Sequence, residues 1–148
     1  MHIQELIKLE PGQDLSIANT FFGYTGKAQI TLDSGEVLHW LYAGKESLLA
    51  LAHSDEELVS FHVLDEELDE PDGGMILYHG KEYEFTYEDV GVVAHVEGEL
   101  GAEEEDRVSF SDYENEAGDR IRLVTNDNTG ESMALWGQLV TEEEVSLA

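Results

Sequence analysis

Residues 82 to 87 read EYEFTY, and this alternation constrains the chain more than any other feature. Successive side chains of a strand point to opposite faces, so Tyr83, Phe85 and Tyr87 fall on one face of a strand and scatter around a helix. The same period of two recurs along the chain. Ala28, Ile30 and Leu32 alternate with Lys27, Gln29 and Thr31; Leu38, Trp40 and Tyr42 alternate with Val37, His39 and Leu41. Val59, Phe61 and Val63 follow, then Val92, Ala94 and Val96, then Val108 and Phe110. Last come Ile121 and Leu123 against Arg120 and Arg122. Turn-forming groups such as Asp33-Ser34-Gly35, His79-Gly80-Lys81 and Ala117-Gly118-Asp119 punctuate the runs. The pattern predicts an all-β, mainly antiparallel fold: two sheets or β-subdomains sharing a core, like a sandwich or open barrel. The expected core is Trp40, Phe61, Tyr83, Phe85, Val96, Phe110 and Leu123.

Helix is scarce in this reading. One turn is expected at His2 to Leu9 and another from Thr141, where Thr-x-x-Glu to Glu144 has the form of a capping box. Ser47 to Ala52, SLLALA, is apolar on both faces; its six residues after a turn favour a strand buried on both sides. The stretch 65–74, DEELDEPDGG, reads as an acidic linker between two β-rich halves of a single domain spanning 1–148. A weak echo links ITLDSGEVLHW (30–40) to LVTNDNTGESMALW (123–136). The second stretch puts its Trp on the opposite parity, so shared hairpin chemistry explains the echo as well as duplication does.

Charge bounds the function. The 148 residues carry 34 acids against seven Lys and Arg, a formal net charge of −27. Such a chain is repelled by phosphate backbones and anionic headgroups, which argues against nucleic acid and direct membrane contact. No apolar run approaches the roughly 20 residues of a membrane helix, and MHIQELIKLEPG lacks the basic and apolar regions of a signal peptide. With no cysteine there is no disulfide, thiolate ligand or cysteine nucleophile. A cytoplasmic protein is the expectation. Solvated charge is the ordinary reading of such acidity, and a basic protein surface or a polyamine is the functional one.

Motifs for chemistry are absent or broken. Gly23 to Lys27 resembles a phosphate loop, but the first glycine is replaced by Phe21 and no Ser or Thr follows Lys27. Asp112-x-Glu114-x-Glu116 opens like a calcium loop, yet Ala117 and Leu123 stand where Gly and Glu are required. Six histidines have no helical or His-x-His spacing, although adjacent strands could gather His39, His53 and His62. The acids Glu103, Glu104, Glu105 and Asp106 end a hairpin whose turn Gly98 and Gly101 ease. Consecutive side chains diverge, so they read as a charged loop, with a divalent cation or polyamine contact as the alternative. Asp112 is expected to bond the amides of the following turn, and Tyr113 to cover the hairpin.

From Tyr78 to Val140 the chain resembles the family called domain of unknown function 4178. The likeness lies in Tyr78, Gly80, Lys81 and Tyr83, in Gly98-Glu99-Leu100, in Asp112-Tyr113, and in Trp136-Gly137 followed by Glu142 to Val145. Leu9, Pro11, Gly12 and Trp40-Leu41 extend it more loosely over the first half. The resemblance implies a β-rich fold without established activity. It also implies bacterial gene neighbourhoods of phage-shock-type membrane-stress proteins and spermidine-synthase-like enzymes. The expected function is thus a non-catalytic accessory module that binds a basic protein partner, without cofactor or metal. Candidate binding residues are Gly98, Glu99, Asp112, Tyr113, Trp136, Glu103, Glu104 and Glu105. The alternatives are a polyamine or divalent-cation binder, and a hydrolase or lyase using Asp112 with a histidine.

Overall fold

A computed structural model describes residues 1–52, 57–68, 70–98 and 103–148. In chain order the elements are helix α1 (Ile3–Lys8), then strands β1 (Leu15–Ile17), β2 (Thr20–Phe22), β3 (Gly26–Leu32), β4 (Val37–Ala43), β5 (Ser47–Ala52) and β6 (Glu57–Val63). After the 65–74 stretch come β7 (Met75–Tyr78), β8 (Lys81–Gly98), β9 (Arg107–Glu114), β10 (Arg120–Asn126) and β11 (Ser132–Val140). A 3₁₀ turn (Glu142–Glu144) and β12 (Val145–Leu147) close the chain.

Two antiparallel meanders, β3 to β6 and β8 to β11, build one barrel. Their last strands pair at β6–β11, and their first strands pair at β3–β8, so the eight strands close on themselves. Closure removes the open edges that a sandwich leaves exposed. Strand β7 adds to the far end of β8, and β12-β1-β2 forms a separate three-stranded sheet.

Each strand sends one parity inward. Ala28, Ile30, Leu38, Trp40, Phe61 and Phe110 belong to the interior cluster. SLLALA is a strand, with Leu48 and Ala50 inside the barrel and Leu49 and Leu51 outside. That outer layer is covered by Ile3 and Leu6 of α1 and by Leu15, Ile17 and Val145 of the small sheet. A third cluster, Ile76, Tyr83, Tyr113 and Ile121, lies where β7 and β8 fold over β9 and β10. Leu68, from the acidic stretch, packs against it; Asp69 lies outside the described residues.

Gly137 marks a close approach. It stands between Arg120 of β10 and Phe61 of β6 in the register, and a methyl group there would sit 2.5 Å from the Phe61 ring. At the chain's end the Thr141 N–H donates to the Glu144 carboxylate at 3.0 Å, the return bond that Thr-x-x-Glu predicts.

Three core expectations are corrected. The register of β8 against β9 shifts between Phe85 and Tyr87, so EYEFTY does not keep one face. Phe85 turns outward over Tyr113, while Tyr87, with 41% of its surface still exposed, turns to the barrel mouth, where its ring meets Phe110 and its hydroxyl meets Arg122. Leu123 is only partly buried, against the outer cluster, because β10 sends Arg120, Arg122 and Val124 inward. Val96 is likewise part-buried at the edge of the interior cluster. Truncating Phe61 to Ala should cost about 3–5 kcal/mol, whereas Phe85→Ala should cost about 1 kcal/mol, in keeping with the small area it buries. Urea unfolding of the two variants checks the assignment; equal losses would contradict the bulge.

Candidate functional site

The barrel interior holds an ion pair. Register sets Arg122 of β10 opposite Asp112 of β9, both on the inward parity. The Arg122 Nε–H donates to Asp112 Oδ1 at 2.7 Å, and Nη2–H donates to Oδ2 at 2.9 Å, a bidentate fork. Asp112 is 0% exposed and Arg122 is 4% exposed. Nη2 also donates to the Tyr87 hydroxyl at 3.2 Å. The guanidinium carbon lies 4.7 Å from the Phe110 ring centroid, 4.8 Å from Phe61 and 5.6 Å from Trp40. Aromatic faces thus replace part of the hydration that burial removes. Burial alone would lower the Arg122 pKa, but Asp112 and its neighbours outweigh it and hold the guanidinium above its ordinary value.

One pair further along, Arg120 faces Glu114 in the register. Its Nε lies 2.8 Å from Glu114 Oε1, out of line for a hydrogen bond, and its Nη1 donates to Glu57 of β6. Burial works against the charge on Arg120, yet Glu57 and Glu114 raise its pKa.

These pairs lie under a cavity of about 430 Å³ at one end of the barrel, between the β3–β4 and β9–β10 turns. Its walls include Trp40, Phe110 and Arg122 on the deep side, and Glu36, Glu57, Asp89, Tyr87, Arg120 and Glu114 toward the opening. Trp40 also lines a second cavity of about 270 Å³ at the other end, between the β4–β5 and β10–β11 turns. Leu48, Val63, Val108 and Leu135 make that one mainly apolar.

The sequence-predicted residues occupy several places. Asp112 does not bond the following turn; it sits within β9 and faces Arg122. Asn115 makes that turn, its Oδ1 accepting from Ala117 N–H at 3.0 Å and Asp119 N–H at 2.9 Å. Tyr113 faces outward, its ring 5.7 Å from Phe85. Trp136 lies on the same outer side and donates from its indole to the Tyr83 hydroxyl at 3.1 Å. Trp40 is interior and Trp136 is not, as the parity of the echo requires.

Gly98 ends β8 with φ +74, and a side chain there would strike the Thr25 carbonyl. Glu99 lies outside the described residues. Glu103, Glu104 and Glu105 close the β8–β9 end, where Glu103 N–H donates to Asp106 Oδ2 at 3.0 Å. That bond, with one from Asn126, holds the Asp106 carboxyl below its usual range. His39 stands level with Leu58 across the sheet, whereas His62 stands level with Ser47, four residues further along β6. His53 lies outside the described residues. Among the described residues no group of three or more His, Asp or Glu is placed to hold a metal ion.

Arg120, Arg122 and Glu57 were missed because charged residues were assigned to the solvent side, and Tyr87 because it was placed on the face of Tyr83 and Phe85, which the register shift in β8 reverses. The signal was present: Arg120-x-Arg122 follows Asp112-x-Glu114 across a short turn, so a hairpin pairs each cation with an acid. No family model, curated protein or solved structure matches the chain.

Asp112→Ala leaves a buried guanidinium uncompensated and should cost about 3–5 kcal/mol. Replacing both members, as Asp112→Leu with Arg122→Met, should recover most of that loss in urea unfolding.

Burial pushes the Tyr87 hydroxyl up to about 12, with Asp112 adding and Arg122 opposing, and burial also raises Tyr24 and Tyr42. The fold favours the neutral phenols, so their contribution is complete below pH 10 and is lost as pH climbs through the raised values. Stability followed against pH should decline above pH 10, with the decline smaller in Tyr87→Phe.

Proposed function

We propose that the protein is a non-catalytic binding module whose partner is a basic protein surface. The observation that carries this reading is where the cations go. Arg120 and Arg122 turn into the barrel. Lys27 donates to the Ile7 and Leu9 carbonyls at 2.7 and 3.3 Å, at the end of α1, and pairs with Glu97 at 3.4 Å. Three of the seven Lys and Arg are thereby held in pairs within the fold, two of them buried. The pairs take acids with them, so the strongly negative net charge stays on the surface with only Lys8, Lys45, Lys81 and Arg107 exposed among it, and it attracts a basic partner over long range.

A binding role in place of a catalytic one is supported by Asp112, the residue an acid–base mechanism would use. Both of its oxygens are engaged by Arg122. Specificity then needs shape as well as charge. The exposed apolar side chains of the β7–β8 hairpin supply candidate contacts on its two faces: Leu77 on the face of Glu82 and Glu84, and Phe85 on the opposite face over Tyr113.

Capture from host lysate at low and high salt tests the proposal. Exposed ion pairs are screened over about 8–10 Å at ordinary ionic strength, so a specific basic protein should be retained at low salt and released at high salt. Phe85→Ser should weaken its capture without unfolding the chain. Retention indifferent to salt, or no basic protein among those retained, would refute it.

A further inference from the structure

The cavity at the Lys45 end of the barrel, between the β4–β5 and β10–β11 turns, has the make-up of a small-molecule site. It measures about 270 Å³, and Leu48, Val63, Val108, Val124 and Leu135 form its apolar walls. All but Val63 are buried, so the strands themselves fix its shape. Trp40, which lines both barrel cavities, stands between them. A concave, mainly apolar space with a few placed polar groups, in the mouth of a β-barrel, is the ordinary form of a small-ligand site.

One polar group faces this space from within. Tyr42 is partly buried against the interior cluster and lines the cavity. The hydroxyls of Tyr24, Tyr83 and Tyr87 are bonded to Leu9, Trp136 and Arg122, whereas the Tyr42 hydroxyl is bonded to no described residue. Burial raises its pKa, with Arg122 opposing, so it keeps its proton and can donate it to an acceptor in the cavity. The charges of the lining are Lys45 and Glu131, one of each sign, both exposed at the rim.

We propose that this cavity binds a small uncharged apolar molecule carrying one carbonyl or hydroxyl oxygen. The apolar body lies against Leu48, Val108 and Leu135, and the oxygen accepts from the Tyr42 hydroxyl. Charge selects the class. A carboxylate or phosphate must approach through the field of a chain with a formal charge of −27. An ammonium would leave water for walls that hold no carboxylate. A neutral molecule meets neither obstacle. The inference goes beyond the surface reading above and stands without it, since it rests on the barrel interior.

Titration calorimetry of the full chain with methyl hexyl ketone, octanoate and octylamine, which share one carbon count, tests it. The ketone should bind one to one, and the two charged ligands about tenfold more weakly or less. Tyr42→Phe should weaken the ketone by about tenfold, the share of one hydrogen bond. Met133→Trp, at the exposed rim, should fill the mouth and abolish binding. Phe85→Ser should leave the affinity unchanged, since that ring lies outside the barrel.

Should Met133→Trp fail to fold, Trp136→Phe leaves Trp40 as the sole tryptophan, and the carbonyl of the ketone should quench its emission saturably. Absence of ketone binding, equal or tighter binding of octanoate or octylamine, an unchanged affinity in Tyr42→Phe, binding that survives Met133→Trp or is lost in Phe85→Ser, or an unchanged Trp40 signal would each overturn the proposal.

Discussion

The Arg122–Asp112 pair is the interaction on which the barrel's internal order depends. Eight strands enclose a space that side chains just fill, and most of it here is aliphatic and aromatic. A bidentate ion pair in that space tolerates one register only. A slip of a single residue would turn Asp112 to the outside and leave Arg122 against Ser111 or Tyr113. Breaking the pair by slippage is thus far more costly than misaligning two apolar strands. The aromatic rings of Phe61, Phe110 and Trp40 depend on it in turn, since they pack around the guanidinium. Gly137 belongs to the same arrangement: with no side chain of its own, it leaves room for the Phe61 ring beside β10.

The strand content was legible because period two is a property of the backbone and survives any tertiary arrangement. SLLALA was legible as well, since a strand buried on both faces needs a layer outside it, and α1 with the small sheet provides one. The closed barrel was not legible. Closure depends on β8, whose 18 residues serve β9, β3 and β7 in turn. Nothing in the alternation of EYEFTY announces the extra residue, Thr86, that reverses its facing. Thr86 Oγ1 donates to the Asp112 carbonyl at 3.1 Å, a bond formed only once β9 is in place.

The inward arginines were misread for a different reason. On β10 the apolar residues Ile121 and Leu123 do face other apolar residues, but these belong to the outer cluster beneath the β7–β8 hairpin. A strand with packing on both faces carries two competing cues. The rule that charge faces solvent then fails wherever the partner charge is supplied by the neighbouring strand. In this hairpin the complementary acids were one turn away in the sequence.

Why the interior is polar at one end only follows from the same comparison. An apolar pair of similar volume would serve stability as well as Arg122 and Asp112 do, or better. The opposite end of the barrel takes that solution, closing around Leu48, Val108, Val124 and Leu135 with no buried charge among them. The ion pairs gather instead beneath the cavity at the Arg120 end, where Arg122, Arg120, Glu57 and Glu114 form a fixed array of donors and acceptors. Such an array keeps its direction whether or not the cavity is filled, because each charge is held by a partner on another strand. Preorganised polar groups of this kind limit the reorganisation that binding would otherwise require. The asymmetry between the two ends therefore gathers the fixed interior charges at the Arg120 end.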